Sequence, residues 1–410
     1  MDIKTVTHPP DFKTGIAFIV ILSALMAFTS LSTDIYLPAM PAMSAALHGD
    51  SELTVTGFLI GFAIAQLIWG PISDQLGRKK PLYIGMVIFA VGSAGCALST
   101  DMIQIVFWRV IQAAGACTGP MLARAMIRDL FTRTRAAQML STLIIVMAIA
   151  PIAGPLLGGQ IIRYSQWPVI FWFLALVGVL MFCSLMWLPE TLPLEKRVKA
   201  SLGHAFSNYL TLLGNKSYMR FTLCVTFYYV AAYAFIVGSP AVYISYFGVD
   251  PQHYGWLFAV NILGLVAIST LNKRLVQKVK LETLLKGASF IAAMMTLMMC
   301  VMLKTHPTAI AALAICIFVF FSMNGIIAAS ATAAALDAVP NAAGSASALI
   351  GSLQYGSGII SSLLLAWLNN GTPWIMVGIM TVFTLLSFLI TLGGRRPHMP
   401  KASIDARAQS

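Results

Sequence analysis

Charge is what this chain has least of. Only 10% of its 410 residues are Asp, Glu, Lys or Arg, while 59% are hydrophobic. A soluble chain carries about 25% charged residues, so a surface this poor in charge must face lipid over most of its area. Acids are scarcer than bases, 14 against 26, for a net charge of +12. Metal chemistry is missing too. Cys96, Cys117, Cys183, Cys224, Cys300 and Cys316 all lie in apolar stretches, with no disulfide or zinc spacing, and read as small apolar residues. His8, His48, His204, His253, His306 and His398 fall in termini or loops without metal-ligand spacing. No Asp-rich or Cys/His cluster exists. These absences argue against a membrane-embedded enzyme, and they predict no metal and no cofactor. No charged ring is present to suggest a channel. No cleavable signal peptide is evident, since the polar start, Met1 to Thr14, leads into a span too long for a signal core.

What is present is apolar length. A helix crossing the bilayer core needs about 20 apolar residues. Twelve stretches qualify, near 15–40, 53–72, 81–99, 102–123, 137–160, 168–188, 218–245, 254–272, 283–303, 308–335, 344–368 and 373–393. An even number puts both termini on one side, and the basic residues choose the cytoplasm. With that orientation the outside loops hold only Arg163 and Lys304, and Arg109 lies within a span. The rest sit inside, in runs such as Arg78-Lys79-Lys80, Arg124 to Arg135, Lys196 to Lys199 and Lys273 to Lys280. Short basic runs between apolar spans serve topology rather than nucleic acid.

The longest inside loop, 189–217, divides the chain into six spans plus six. The expected plan is all-α, with bundles over 15–188 and 218–393 around a central cavity, and cytoplasmic ends at 1–14 and 394–410. In the loop Leu202, Ala205, Phe206, Tyr209, Leu210 and Leu213 recur at helical spacing. That pattern suits an amphipathic helix on the membrane surface or one packed beneath the bundles.

Four short motifs carry chemistry. The first inside hairpin, GPISDQLGRKKPL, places Gly70, Asp74, Gly77, Arg78 and Lys79. Gly77 permits a tight turn, the basic residues hold the loop in the cytoplasm, and Asp74 can accept from a helix N-terminus. Helix 11 begins on the same face and is the expected donor. The fourth span contains RVIQAAGACTGP from Arg109. An arginine there faces a partner or a water-filled cavity, or snorkels outward. Counted from Asp101 it lies about 12 Å deep. The fifth span contains APIAGPLLGG, with Gly154, Pro155, Gly158 and Gly159. These small residues allow close helix approach, and the proline allows a bend. The first span ends in STDIYLPAMPAM. If that helix runs to Pro41, Asp34 lies about 10 Å below the outer surface, near the depth of Arg109, or it is an interfacial acid in water. A carboxylate there is pulled between desolvation and a nearby arginine, as proton coupling requires.

The hairpin resembles the major facilitator signature Gly-x-x-x-Asp-x-x-Gly-Arg-Lys. The fourth span is similar to that family's Arg-x-x-Gln-Gly motif, with Ala113 in place of the glycine, and the fifth looks like its antiporter motif. The first span, Arg128-Asp129, LPETLP from Leu188 and LDAVPNAAGSASAL from Leu336 resemble the Bcr/CflA branch of drug–proton antiporters, over essentially the whole chain. Some relatives carry a second acid near the middle of helix 1; Leu25 to Phe28 has none here. The resemblance implies a monomeric inner-membrane multidrug efflux transporter, set among membrane lipids, that exchanges protons for small amphipathic compounds. Bicyclomycin- and chloramphenicol-like antibiotics are the expected cargo. The alternative on the same fold is a metabolite exporter or importer. Asp34 and Arg109 then handle the proton, and Gly70, Asp74, Gly77 and Arg78 form a gate. Tyr36, Gln66, Gln112, Tyr229, Tyr233, Asn261, Asn324 and Gln354 are the candidates to line the substrate cavity.

Overall fold

The computed structural model describes residues 16–131, 133–197, 209–306, 308–339 and 343–393. Those residues form helices and turns with no strand, as a bilayer demands. Backbone groups in hydrocarbon find no water, and only a helix satisfies them within one segment. Eleven helices are long and apolar enough to span: α1 (Ala17–Leu47), α2 (Glu52–Leu76), α3 (Lys79–Ala97), α4 (Met102–Ile127), α6 (Pro168–Trp187), α7 (Lys216–Tyr246), α8 (Pro251–Leu275), α9 (Leu281–Thr305), α10 (Ile310–Asp337), α11 (Ser345–Leu368) and α12 (Pro373–Leu392). The expected fifth span is the 32-residue helix α5 (Arg133–Tyr164). The terminal segments 1–14 and 394–410 lie outside the described residues. So does most of the expected linker helix, of which residues 209–214 are described and helical.

Packing order repeats along the chain. In the first half α1 lies on α5, α2 on α4, and α3 on α4 and α6; in the second, α7 lies on α11, α8 on α10, and α9 on α10 and α12. The helices also break at matching places. α1 stops at Asp34, makes a 3-10 turn over Leu37–Ala39 and resumes at Met40. Pro38 and Pro41 supply the cause, since neither donates a backbone hydrogen bond. Its counterpart α7 loosens into a π turn over Ala241–Tyr246, just after Pro240. α4 is interrupted at Cys117 and α10 at Met323.

The halves meet along α5–α8 and α2–α11. On the face opposite the basic loops they touch closely. Thr56 donates to Ser362 at 2.7 Å, and a Cβ on Gly159 would come within 2.7 Å of the Pro251 carbonyl oxygen. Deeper in, the Phe62 and Tyr355 rings lie 4.2 Å apart. Toward the basic face a Cβ added at Gly70 would meet nothing within 4 Å. Among the described residues the halves close on each other at the face opposite the basic loops.

Candidate functional site

The break in α1 is the centre of the site. Ser32 and Thr33 turn their hydroxyls back onto the carbonyls of Phe28 and Thr29 at 2.7 and 3.2 Å, a bonding pattern that bends helices. Thr33 also donates to the Asp34 carboxylate at 3.0 Å. Asp34 is 7% exposed, and no cationic side chain pairs with it among the described residues. α1 continues to Leu47 rather than ending near Pro41, so Asp34 lies within the span.

Behind the break stands the antiporter motif on α5. A Cβ on Gly154 would lie 3.3 Å from the Asp34 Cβ, and one on Gly158 would run into the Ile35 carbonyl oxygen. Pro155 is buried between them, while Gly159 faces the start of α8. The motif therefore touches both the broken helix and the second half. Across that line the hydroxyls of Tyr233, Tyr254 and Tyr355 stand nearest the Asp34 carboxylate among the tyrosines described. Tyr229 and Tyr233 stand 6.3 Å apart on α7, and the Asn324 side chain lies near the Tyr229 hydroxyl. The amide oxygens of Gln66 and Asn324 are buried without a hydrogen-bond partner. Two carbonyl acceptors without donors, ringed by half-buried tyrosines, make a cavity wall that can take the N–H or O–H groups of an amphipathic guest. Gln354 is half-buried on α11 beside Tyr355.

Arg109 is not where depth alone placed it. It is fully buried inside the first half, and its partners are neutral. Its Nη1 donates to the Ser32 carbonyl at 3.2 Å and to Gln112 Oε1 at 2.5 Å, and its Nε donates to the Thr54 carbonyl at 3.3 Å. The rings of Tyr36 and Phe58 lie 4.4 Å from its guanidinium carbon. Gln112 passes the network on to Ser93 at 2.7 Å. The expected Asp34–Arg109 pair is absent because Ser32 and Tyr36, one turn apart, face Arg109. Asp34 sits two positions from each, about 200° round the helix, since a turn takes 3.6 residues. Tyr36 and Gln112 consequently belong to the Arg109 cluster rather than the substrate cavity. Asn261 likewise spends its amide on the Leu257 carbonyl of its own helix at 2.9 Å.

On the basic face Gly77 takes φ +89°, a conformation open chiefly to glycine. The turn aims Arg78 back at Asp74 (2.6 Å) and at Asp129 (2.9 Å), and its Nη1 also reaches Ser73 Oγ at 2.9 Å. Glu190 covers the same turn, accepting from the amides of Arg78 at 2.9 Å and Lys79 at 3.1 Å. It thereby caps α3. Burial alone would raise the Glu190 pKa, but these amides, that of Leu192 and the Arg197 charge outweigh it and hold it below the ordinary value. Burial works against the Arg78 cation, and the two carboxylates more than restore it. Asp74 is paired with Arg78, and no contact between Asp74 and α11 is seen among the described residues.

Sequence reasoning missed Tyr254, Tyr355 and Arg124. Arg124 had been assigned to a cytoplasmic loop. It is instead an exposed residue within α4, close enough to Tyr355 for its charge to be felt there. Its spacing from the apolar residues Leu122, Ala123, Met126 and Ile127, all fully buried, was the available signal of a polar helix face.

Comparison with known proteins gives this arrangement its setting. The model of the Major Facilitator Superfamily matches residues 21–362. The uncharacterized MFS-type transporter YdgK of Bacillus subtilis is 34% identical, over 94% of this chain and 97% of its own. The bicyclomycin resistance protein homolog of Haemophilus influenzae is 30% identical, over 92% and 96%. Among solved structures the nucleoside transporter NupG superposes with TM-score 0.75 at 13% identity, covering 92% of this chain and 98% of that one, a likeness of fold. This chain is a multi-pass membrane protein of the Major Facilitator Superfamily, and its full-length relatives bear out the likeness to the bicyclomycin-resistance branch.

Proposed function

We propose that the chain is a proton-coupled multidrug efflux transporter of the bacterial inner membrane, exporting small amphipathic compounds such as bicyclomycin- or chloramphenicol-like antibiotics. The bundles 15–188 and 218–393 rock about the central cavity. The segment 189–217 links them, and the basic face and both termini lie in the cytoplasm. The protein works as a monomer, without cofactor or metal, and is not an enzyme. Full-length relatives named for bicyclomycin resistance and, in Escherichia coli, as multidrug resistance protein D support export of drugs. The metabolite alternative rests on fold likeness alone.

One observation carries the reading. Asp34 is a buried acid without a cation partner, placed where α1 breaks and the two halves meet. Its protonation depends on whether water reaches it, and water reaches it differently as the halves rock. Drug and proton therefore compete across one wall, with Tyr229, Tyr233, Gln66 and Asn324 on the drug side. Linkage makes the coupling reciprocal: each weakens the other's binding by the same factor. Arg109 acts as a positioning residue. It grips the Ser32 carbonyl and the Tyr36 ring on the back of the break and so fixes which way Asp34 points. Asp74 and Arg78 hold the cytoplasmic gate.

The test uses purified protein in proteoliposomes with an imposed pH gradient. Asp34→Asn loses uphill chloramphenicol transport but still exchanges labelled for unlabelled drug without a gradient. Uphill transport by the Asn variant at the wild-type rate would remove Asp34 from the coupling step.

A further inference from the structure

On the closed face, opposite the basic loops, a cavity of about 260 Å³ lies between the halves. One wall is the end of α1 with the start of α2, including Met40, Asp50 and Glu52; the other is the π turn of α7 and the α11–α12 corner, including Val242, Asn369 and Met376. None of the residues proposed to line the drug cavity lines this one, and the Thr56–Ser362 hydrogen bond lies one turn deeper along α2 than Glu52.

Glu52 is 6% exposed and lines this space. No side chain among the described residues donates to its carboxylate, and Asp50 lines the same space. Among the described residues neither acid pairs with Lys, Arg or His. A buried carboxylate without a counter-charge is costly. Here it shares a pocket with the half-buried Asp50, lined by the apolar Met40, Val242, Leu365 and Met376 and by the polar Ser245, Asn369 and Thr372. That combination suits a cation with an apolar body, its charge between the acids and its methyl groups against Met40, Val242 and Met376.

We propose that this vestibule is a second binding site, for a small organic ammonium ion arriving from outside, and that its occupancy holds the outer gate shut. The second part follows from geometry. Each half supplies one wall, so the site is whole only while the halves touch on this face. A ligand bound to one state alone must shift the population toward that state. An external ammonium ion thus opposes the outward-open step from the side to which drug is released. Its binding does not depend on the transport reading, though its effect on the gate assumes alternating access in the orientation given above.

The test uses the full chain in lipid nanodiscs, titrated calorimetrically with benzyltrimethylammonium and with its neutral isostere neopentylbenzene. Wild type binds the cation and not the isostere. Glu52→Gln and Asp50→Asn, each checked for unchanged thermal unfolding, weaken binding about tenfold or more, whereas Tyr233→Ala in the central cavity leaves it unchanged. In proteoliposomes the cation slows drug export when added to the release side only. The proposal is overturned if wild type does not bind the cation, or if both acid variants bind it normally. It is equally overturned if Tyr233→Ala abolishes binding, which would put the cation in the central cavity, or if the isostere binds as well, which would make the pocket merely apolar.

Discussion

The two halves share one packing order and solve their polar problems differently. In the first, helices are tied by ions: Arg109 gathers α1, α2 and α4, and Arg78 gathers Asp74 and Asp129 with Glu190 close by. In the second, neutral hydroxyls do the same work on carbonyls across helices. Tyr228 reaches Phe320 at 2.9 Å, Tyr218 reaches Ala346 at 2.8 Å, and Ser361 reaches Val230 at 2.6 Å. α10 carries no charge before Asp337, and α11 and α12 carry none at all. A hydroxyl carries no charge for water access to titrate, whereas a carboxylate does. The proposed proton handling therefore falls to the first half, with the second as its tyrosine-faced counterpart.

The largest expected effect breaks the ionic half at its centre. Arg109→Ala leaves the Ser32 and Thr54 carbonyls and Gln112 Oε1 without their donor, at about 1–3 kcal/mol for each buried group left unpaired. Transport is lost and the thermal unfolding midpoint falls. Arg109→Lys keeps part of both, since lysine keeps the charge but lacks the planar fork. In the second half Arg220, which caps the end of α12 through the Ile390 and Thr391 carbonyls, sits at the helix ends, and Arg220→Ala costs less. Wild-type transport by folded Arg109→Ala would erase the contrast.

Glycines sharpen the comparison next. Gly158→Ala on α5 pushes a methyl group into the Ile35 carbonyl, whereas Gly356→Ala on the counterpart α11 meets nothing within 4 Å. Overpacking of that kind costs about 1–3 kcal/mol. The expected outcome in a drug-survival assay is loss of resistance for the first and wild-type growth for the second. Equal growth of the two variants would mean that the α1 break can shift to make room.

How much of this was legible follows from what kind of fact each was. Membrane spans read well because apolar length is a one-dimensional property. The breaks in α1 and at Cys117 could be read from Pro38, Pro41 and Pro120, but nothing so direct marks the break at Met323. Depth was read from spacing and rotation was not, which is why Asp34 and Arg109 were paired on paper and stand on opposite sides of α1. The counting rule that separates them, two residues from Ser32 and two from Tyr36, was already in the sequence. Glu52 escaped notice because a residue at the start of a helix reads as surface until the other half is seen to cover it. The expected Asp74 contact with α11 would need the halves together on the basic face, and a sequence does not say which conformation a structure will display.

A smaller effect tests that gate. Asp74→Asn removes one of the two carboxylates on Arg78 and any contact with the first amides of α11 when the cytoplasmic side closes. A carboxylate at a helix start contributes about 0.3–1 kcal/mol, so the variant favours the inward-open state by a few-fold and transports more slowly. Spin labels at the cytoplasmic ends of α2 and α11 measure it as a gain in the long-distance population. An unchanged distribution with normal transport leaves Asp74 a topology residue.

The smallest effect separates the two hairpins of the basic face by pH. Glu190 caps α3 over the first hairpin with its pKa held below the ordinary 4.5. A group lowered in the folded state stabilises it above its unfolded value, and that contribution disappears as pH falls through the folded value. Glu190 is 30% exposed in its side chain, so solvent screening keeps the contribution below about 1 kcal/mol. The second hairpin holds its place with Asn272, whose amide nitrogen reaches the Gly325 carbonyl at 3.5 Å and which does not titrate. Unfolding midpoints measured from pH 7 downward should show Glu190→Gln less stable than wild type at neutral pH. The gap should close below about pH 4.5, where wild type loses the same charge. Asn272→Ala should lower the midpoint by an amount that does not change with pH. A Glu190→Gln gap that persists into acid would show that the cap works through shape rather than charge, and the ionic character assigned to the first half would then rest on Arg78 and Arg109 alone.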